Sequence, residues 1–200
     1  MPGGTDRGER GGARLRSPKR VAVIGPGGAG KSTLAVKLAD ALGLPAVHMD
    51  DLLMEPRANG DSPARRREFG EDRQHAIVAE AVTAPRWIIE GGYWRTLDIL
   101  IDAADQIVFL DPPTGQWLRQ VLAREARTLA GWAREDRHWR TLVIHARFLV
   151  WLPWYPLRER PRVLRALRGL EPNRVVRLRG QREIDRFITG LKADAETAAG

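Results

Sequence analysis

Apolar residues in this chain fall into two kinds of pattern. Short unbroken runs appear at Val21-Ala22-Val23-Ile24, Trp87-Ile88-Ile89, Ile107-Val108-Phe109-Leu110 and Val175-Val176-Arg177-Leu178. Their length and β-branched content read as strands buried on both faces. Pro45 to Met49 reads as one more, ending at Asp50-Asp51. Between the runs, apolar positions recur at helical spacing. Lys31 to Leu42 carries Leu34, Leu38 and Leu42 on one stripe, with Gly43 as its stop. Ala64 to Ala84 is expected to turn Phe69, Ala76 and Ile77 inward, and Leu97 to Ala104 forms a short helix. Thr114 to Leu129 carries Trp117, Leu118, Val121 and Leu122, and a further stripe joins Trp139, Leu142, Val143, Ala146 and Leu149. Pro161 to Leu167 begins on proline and has Gly169 just beyond its end. A last helix spans Gln181 to Leu191, and residues 55–63, with Asn59-Gly60, read as a loop.

Strands alternating with helices imply an α/β three-layer sandwich, a parallel sheet covered on both faces. Ligands of such sheets sit at the carboxyl ends of the strands, near a topological switch point. Four strand ends here carry chemically interesting residues: Gly25, Asp50, Glu90 and Asp111. The expected organisation is a basic extension over 1–18, one domain over 19–192 with a helical lid region near 119–169, and a flexible tail over 193–200.

Charge and composition narrow the partners. Lys and Arg number 33 against 25 Asp and Glu, a formal net charge of +8. That balance favours an acidic or phosphorylated partner, although arginine enrichment follows equally from a GC-rich genome. With no cysteine, disulfides, thiolate nucleophiles and Cys-based zinc sites are excluded, and a reducing cytoplasm fits. The longest apolar stretch, Phe148 to Trp154, is too short to span a bilayer and contains Pro153. A soluble cytoplasmic protein with no membrane partner is expected; oligomeric state is not legible.

Gly25-Pro26-Gly27-Gly28-Ala29-Gly30-Lys31-Ser32 satisfies G-x-x-x-x-G-K-[ST], with a strand before it and a helix after. Glycines let backbone N–H groups close around phosphate oxygens, and the helix N-terminus adds partial positive charge. Lys31 is expected at the β- and γ-phosphates and the Ser32 hydroxyl on Mg2+, with Thr33 completing the nucleotide-binding segment. A nucleoside triphosphate with Mg2+ is therefore the expected ligand. The GTPase motif Asn-Lys-x-Asp is absent, which leans toward ATP.

Glu90 follows Trp-Ile-Ile, an apolar run ending in an acid, and is assigned to Mg2+. Asp50 is assigned to the acceptor side as a base for the attacking hydroxyl; the alternative for both acids is a solvated strand end. Asp111, before Pro112-Pro113, is read as organising a turn. Arg119, Arg124, Arg127, Arg134, Arg137 and Arg140 surround a break near Gly131. Arginines that close over a transferred phosphoryl group neutralise its developing charge. Arg124 and Arg127 are the expected pair, since i and i+3 share a helical side. Trp139, Trp151 and Trp154 are read as packing residues, with base stacking the alternative.

The segments from Val21 to Leu34 and Leu42 to Asp50, with Trp87 to Tyr93, resemble one bacterial family, the DNA topology modulation proteins, which are similar to adenylate and shikimate kinases. The resemblance runs from about Arg20 to Leu191 and implies a five-stranded parallel sheet of nucleoside-monophosphate-kinase type. It also implies an acceptor region after the second strand, an arginine lid after the fourth, and the turn Arg179 to Gln181 beside the adenine. The family shows Leu-Asp and an aromatic pair where this chain has Asp50-Asp51-Leu52-Leu53-Met54, and Asp-Gly-Asn-Tyr where it has Glu90-Gly91-Gly92-Tyr93. Both departures lie on the acceptor and metal side.

The leading expectation is a kinase that transfers the γ-phosphoryl group of Mg-ATP to an unknown small-molecule acceptor, nucleotide-like or another hydroxyl compound. Two alternatives stand beside it. One is a nucleic-acid-associated ATPase with non-specific affinity, and the other is a nucleotide binder without transfer activity.

Overall fold

Strict alternation along three buried strands sorts their side chains between two cores. Val21 and Val23 join Ile88, Val108 and Leu110 on one side of the sheet. Ala22 and Ile24 join Trp87, Ile89, Ile107 and Phe109 on the other. Such continuous apolar runs suit strands with no solvent-facing side. The computed structural model describes residues 18–54, 69–91, 94–135, 149–150, 152 and 154–199. Its strands are β1 (Arg20–Ile24), β2 (Ala46–His48), β3 (Trp87–Gly91), β4 (Gln106–Leu110) and β5 (Val175–Leu178). All pairings are parallel, and the order is β2-β3-β1-β4-β5. The expected five-stranded α/β sandwich is the observed one.

Helix α1 (Lys31–Leu42) covers the first face through Leu34, Ala35 and Leu38, beside Ile188 and Leu191 of the last helix. Gly43 ends α1 in the left-handed conformation at φ 61°, which costs glycine little. The second face lies under α2 (Met49–Leu53), α3 (Glu71–Ala81), α4 (Leu97–Ala103) and α6 (Arg160–Arg168). Helix α5 (Thr114–Glu135) has a small core of its own, where Trp117 and Val121 meet Leu152 and Tyr155. A π-helical turn, Tyr155–Glu159, leads into α6, and α7 spans Gln181–Ala199.

Several boundaries differ from the pattern-based reading. The second strand stops at His48, and Asp50 and Asp51 open α2 instead of ending a strand. The buried face of α3 is Gln74 and Val78; Ala76 is exposed, and Phe69 lies half-buried under the Arg73 guanidinium. Gln74 enters the core because its side-chain N–H satisfies the Phe69 carbonyl at 2.8 Å. Leu118 and Leu122 of the α5 stripe are exposed. The final helix runs past Leu191 to Ala199. Lys19 is tied to the sheet: its backbone N–H donates to Asp105 Oδ2 at 3.0 Å and its carbonyl accepts from Trp87 at 2.8 Å. The loop at Asn59-Gly60, the start of the helix expected from Ala64, Tyr93, Trp139, Leu142, Val143, Ala146, Trp151, Arg137 and Arg140 lie outside the described residues, as does the side chain of Arg134. Among the described residues no helix is long and apolar enough to cross a membrane.

The chain leaves β1 toward β2 and leaves β4 toward β5, in opposite directions from neighbouring strands. That divergence opens a crevice at their carboxyl ends.

Candidate functional site

The loop between β1 and α1 occupies this crevice. A Cβ built on Gly25, where φ is 151°, would stand 2.6 Å from the Leu110 carbonyl oxygen at the end of β4. One on Gly28, at φ 80°, would stand 2.8 Å from Val121 Cγ2 and 3.4 Å from Arg124 Nη1. Only glycine lets the loop lie this close to both neighbours. Gly30, at φ 90°, precedes the first turn of α1, where Leu34 N–H donates to its carbonyl at 3.0 Å. The loop thus delivers its backbone to a helix N-terminus, an arrangement that favours anions. Lys31 Nζ donates to the Pro26 carbonyl at 3.1 Å, so its side chain folds across the loop. Burial pushes the Lys31 ammonium below its ordinary pKa; Glu90 and Asp50 oppose the shift, and Arg124 adds to it. Lys31, Glu90, Asp50 and Arg124 therefore share one electrostatic neighbourhood.

Glu90 is buried at the end of β3, in register with His48 at the end of β2. Its Oε1 accepts from Ser32 Oγ at 2.9 Å and lies 2.9 Å from His48 Nδ1. Ser32 and Glu90, the two residues assigned to Mg2+, thus touch each other. Among the described residues no group of three or more His, Asp or Glu side chains gathers to hold a metal. One hydroxyl and one carboxylate fit Mg2+, which keeps several waters and takes its other ligands from phosphate. Asp50 is exposed in the first turn of α2.

From the opposite wall, Trp117 of α5 donates its Nε1–H to the Gly27 carbonyl at 2.9 Å, and its ring sits 5.2 Å from that of Tyr155. Two turns further on, Arg124 reaches back toward Gly28. Its Nε and Nη2 both donate to Glu125 Oε1, at 3.1 and 2.9 Å. Arg127 is not brought to the loop. It donates its Nε–H to the Ala123 carbonyl at 3.2 Å, along its own helix, and is exposed. Sharing a helical side was not sufficient, because a long side chain bonds locally unless a distant group holds it.

Asp111 does more than shape a turn. It is 4% exposed and receives Arg160 in bidentate fashion, Nε on Oδ1 at 2.7 Å and Nη2 on Oδ2 at 3.0 Å. Arg177 of β5 donates to Oδ2 as well, its Nε at 2.8 Å and its Nη2 also in contact. Burial alone would raise the Asp111 pKa, yet the bonds from Arg160 and Arg177 outweigh it and hold the carboxyl below the usual range. This clasp ties α6 to the ends of β4 and β5.

Between the Gly25–Ser32 loop and the turn after β5 lies a small cleft, whose walls include Ala29, Leu110, Gln116, Gln120, Arg179 and Gln181. The turn is fixed by Glu183, whose Oε2 accepts the Arg179 backbone N–H at 2.8 Å. Arg179 and Gln181 thus line an opening that adjoins the phosphate loop, and Gln116 and Gln120 bring further amides to it.

Sequence reasoning missed His48, Glu125, Trp117 as a loop ligand, and the Asp111 clasp. His48 lies two residues before the acid Asp50, the one local signal among them.

No protein-family model matches the chain, and no curated protein does. Among solved structures, the shikimate kinase from Acinetobacter baumannii in complex with shikimate superposes on 90% of this chain and 94% of its own, with a TM-score of 0.51 and 15% identity. A gluconokinase from Sinorhizobium meliloti 1021 covers 92% of this chain and 97% of its own, with a TM-score of 0.48 and 17% identity. At such identities the shikimate kinase likeness is one of fold.

Proposed function

We propose that this chain is a P-loop phosphotransferase that binds Mg-ATP at Gly25–Thr33 and passes the γ-phosphoryl group to a hydroxyl of a small molecule. The observation that carries the reading is convergence. Lys31, the Ser32–Glu90 pair and Arg124, from three separate elements, meet around one glycine loop. Lys31 and the loop N–H groups would bind the β- and γ-phosphates, and Ser32 and Glu90 would hold Mg2+, which when bound neutralises charge on the phosphates. Arg124 would bring further positive charge to the loop. The cleft at Gln116, Gln120, Arg179 and Gln181 offers amide donors and acceptors to a nucleobase. On the acceptor side, Asp50 in α2 is the assigned base. The kinase names of the structural neighbours agree with this class.

Calorimetric titration of Mg-ATP tests the donor side. Lys31→Ala should lower affinity by about 100-fold; equal affinity in both proteins would sink the assignment. A screen of hydroxyl acceptors, following ADP release, tests transfer. Binding with no acceptor-dependent ADP release would leave a nucleotide binder instead of a kinase.

The net charge of +8 and the resemblance to DNA topology modulation proteins favour a second reading, a nucleic-acid-associated ATPase. That reading requires duplex affinity that falls steeply between two salt concentrations. No duplex binding near physiological salt would remove it.

A further inference from the structure

Two donors of different kinds converge on one oxygen of Glu90. Ser32 Oγ and His48 Nδ1 each lie 2.9 Å from Oε1. A carboxylate oxygen only accepts, so the His48 ring carries a proton on Nδ1. His48 and Glu90 are register partners across β2 and β3, which puts both side chains on one face of the sheet. Gly91 permits the close approach of these strand ends. A Cβ there would stand 2.5 Å from Met49 Sδ and 2.7 Å from Met49 Cβ, so the residue after His48 can close over β3 only because a side chain is missing. His48 also stands at the N-cap of α2, where side chains commonly accept from a helix N–H, and it makes no such bond. Its half-buried imidazole is turned to Glu90 instead. Glu90 itself is 5% exposed, and a carboxylate buried to that degree needs donors.

We propose that His48 is a positioning residue for Glu90: by donating its Nδ1–H to Oε1 it holds that oxygen against the Ser32 hydroxyl and fixes the direction of the carboxylate. A hydroxyl whose proton is already given to Glu90 presents its lone pairs, the state in which it can take a cation. Both bonds fall on Oε1, so they leave Oε2 to Mg2+ or its waters. Groups that orient a metal-binding side chain without touching the metal govern its affinity in this way. The inference rests on the reading of Ser32 and Glu90 as the Mg2+ side of an ATP site. It assigns His48 no contact with nucleotide or metal.

The test is calorimetric titration of the full chain with ATP, once with Mg2+ and once with a chelator. His48→Ala should lower Mg-ATP affinity by about five- to tenfold while leaving affinity in chelator within about twofold. His48→Asn keeps an N–H near the place of Nδ1 and should bring Mg-ATP affinity back to within about threefold of wild type. His48→Gln, a polar residue of similar size whose donor lies one bond further out, should lose affinity as His48→Ala does, and it carries the comparison where His48→Ala melts too low to titrate. In a Glu90→Gln background, His48→Ala should cost nothing further. Equal losses with Mg2+ and in chelator would make His48 a structural support and overturn the proposal. So would an undiminished loss in the Glu90→Gln background, or unchanged Mg-ATP affinity in His48→Ala and His48→Gln. Each of these leaves the nucleotide reading intact, because wild type still binds ATP. Wild-type protein that binds ATP neither with Mg2+ nor in chelator would overturn both.

Discussion

Glu90 and Asp111 occupy matching places, since each is a buried acid near the end of a strand that flanks β1. Their surroundings differ completely. Asp111 is enclosed by two guanidiniums, from Arg160 and Arg177, and its bonds use both carboxylate oxygens. Glu90 meets a hydroxyl and an imidazole, and both approach the same oxygen, Oε1. A carboxylate saturated by arginines contributes to stability and has little left to offer a ligand. One beside Ser32 and within the field of Lys31 can still change partners. Position at a strand end therefore marks a place where chemistry is possible, and the partners decide whether it is structural or functional.

The largest expected effect comes from breaking the clasp. Asp111→Ala leaves two guanidiniums facing a buried gap and should cost about 3 kcal/mol, a fall in Tm of roughly 6–12 °C by calorimetry. An unchanged Tm would erase the distinction drawn between the two acids. The pH dependence sharpens it. Because the folded pKa of Asp111 is depressed, its contribution is present above the unfolded value near 3.8 and is lost as pH falls through the lower folded value. The stability gap between wild type and Asp111→Asn, measured by urea unfolding, should be constant from pH 7 to about 5 and close below about 4. A gap that widens as pH falls below about 4 would contradict the assignment.

Glu90→Gln should do the reverse, leaving Tm within about 2 °C while weakening the Mg2+-dependent part of ATP binding by about tenfold. Titrations with and without Mg2+ read this directly, and equal loss in both would place Glu90 with Asp111 as a structural acid. The smallest effect is expected at the loop's outer wall. Trp117→Phe keeps the packing against Tyr155 and removes one hydrogen bond to the Gly27 carbonyl, worth about 1 kcal/mol. Tm should fall by about 2–4 °C, and a larger fall would mean that the indole supports more than the loop.

The same contrast explains what could be read from the chain alone. Helix α1 with its Gly43 stop and strand β5 emerged with their observed limits, because period and punctuation are local signals. The glycine loop between β1 and α1 was legible for the same reason. The clasp was not, since Arg160 and Arg177 lie 49 and 66 residues from Asp111. Glu125 and Gln74 were missed because a polar residue at a buried position breaks the pattern, and only its partner explains it. Helix α2 was not anticipated, because five residues are too few to display a helical period. Asp50 consequently moved from a strand end into a helical turn. Among the arginines, Arg124 lies beside Gly28 and Arg127 bonds along its own helix, since spacing shows which residues share a side but not which long side chain finds an anchor.

The π-helical turn at Tyr155–Glu159 makes chain length, as distinct from residue identity, a constraint on the molecule. It sits between Tyr155, packed on Trp117, and Arg160, seated on Asp111. Removing one residue there would return the turn to α-helical winding and rotate whatever follows by about 100° relative to what precedes. Tyr155 and Arg160 could then no longer both reach their partners. Conservative replacements within 156–158 should be absorbed, whereas a single-codon deletion should uncouple the two walls of the crevice.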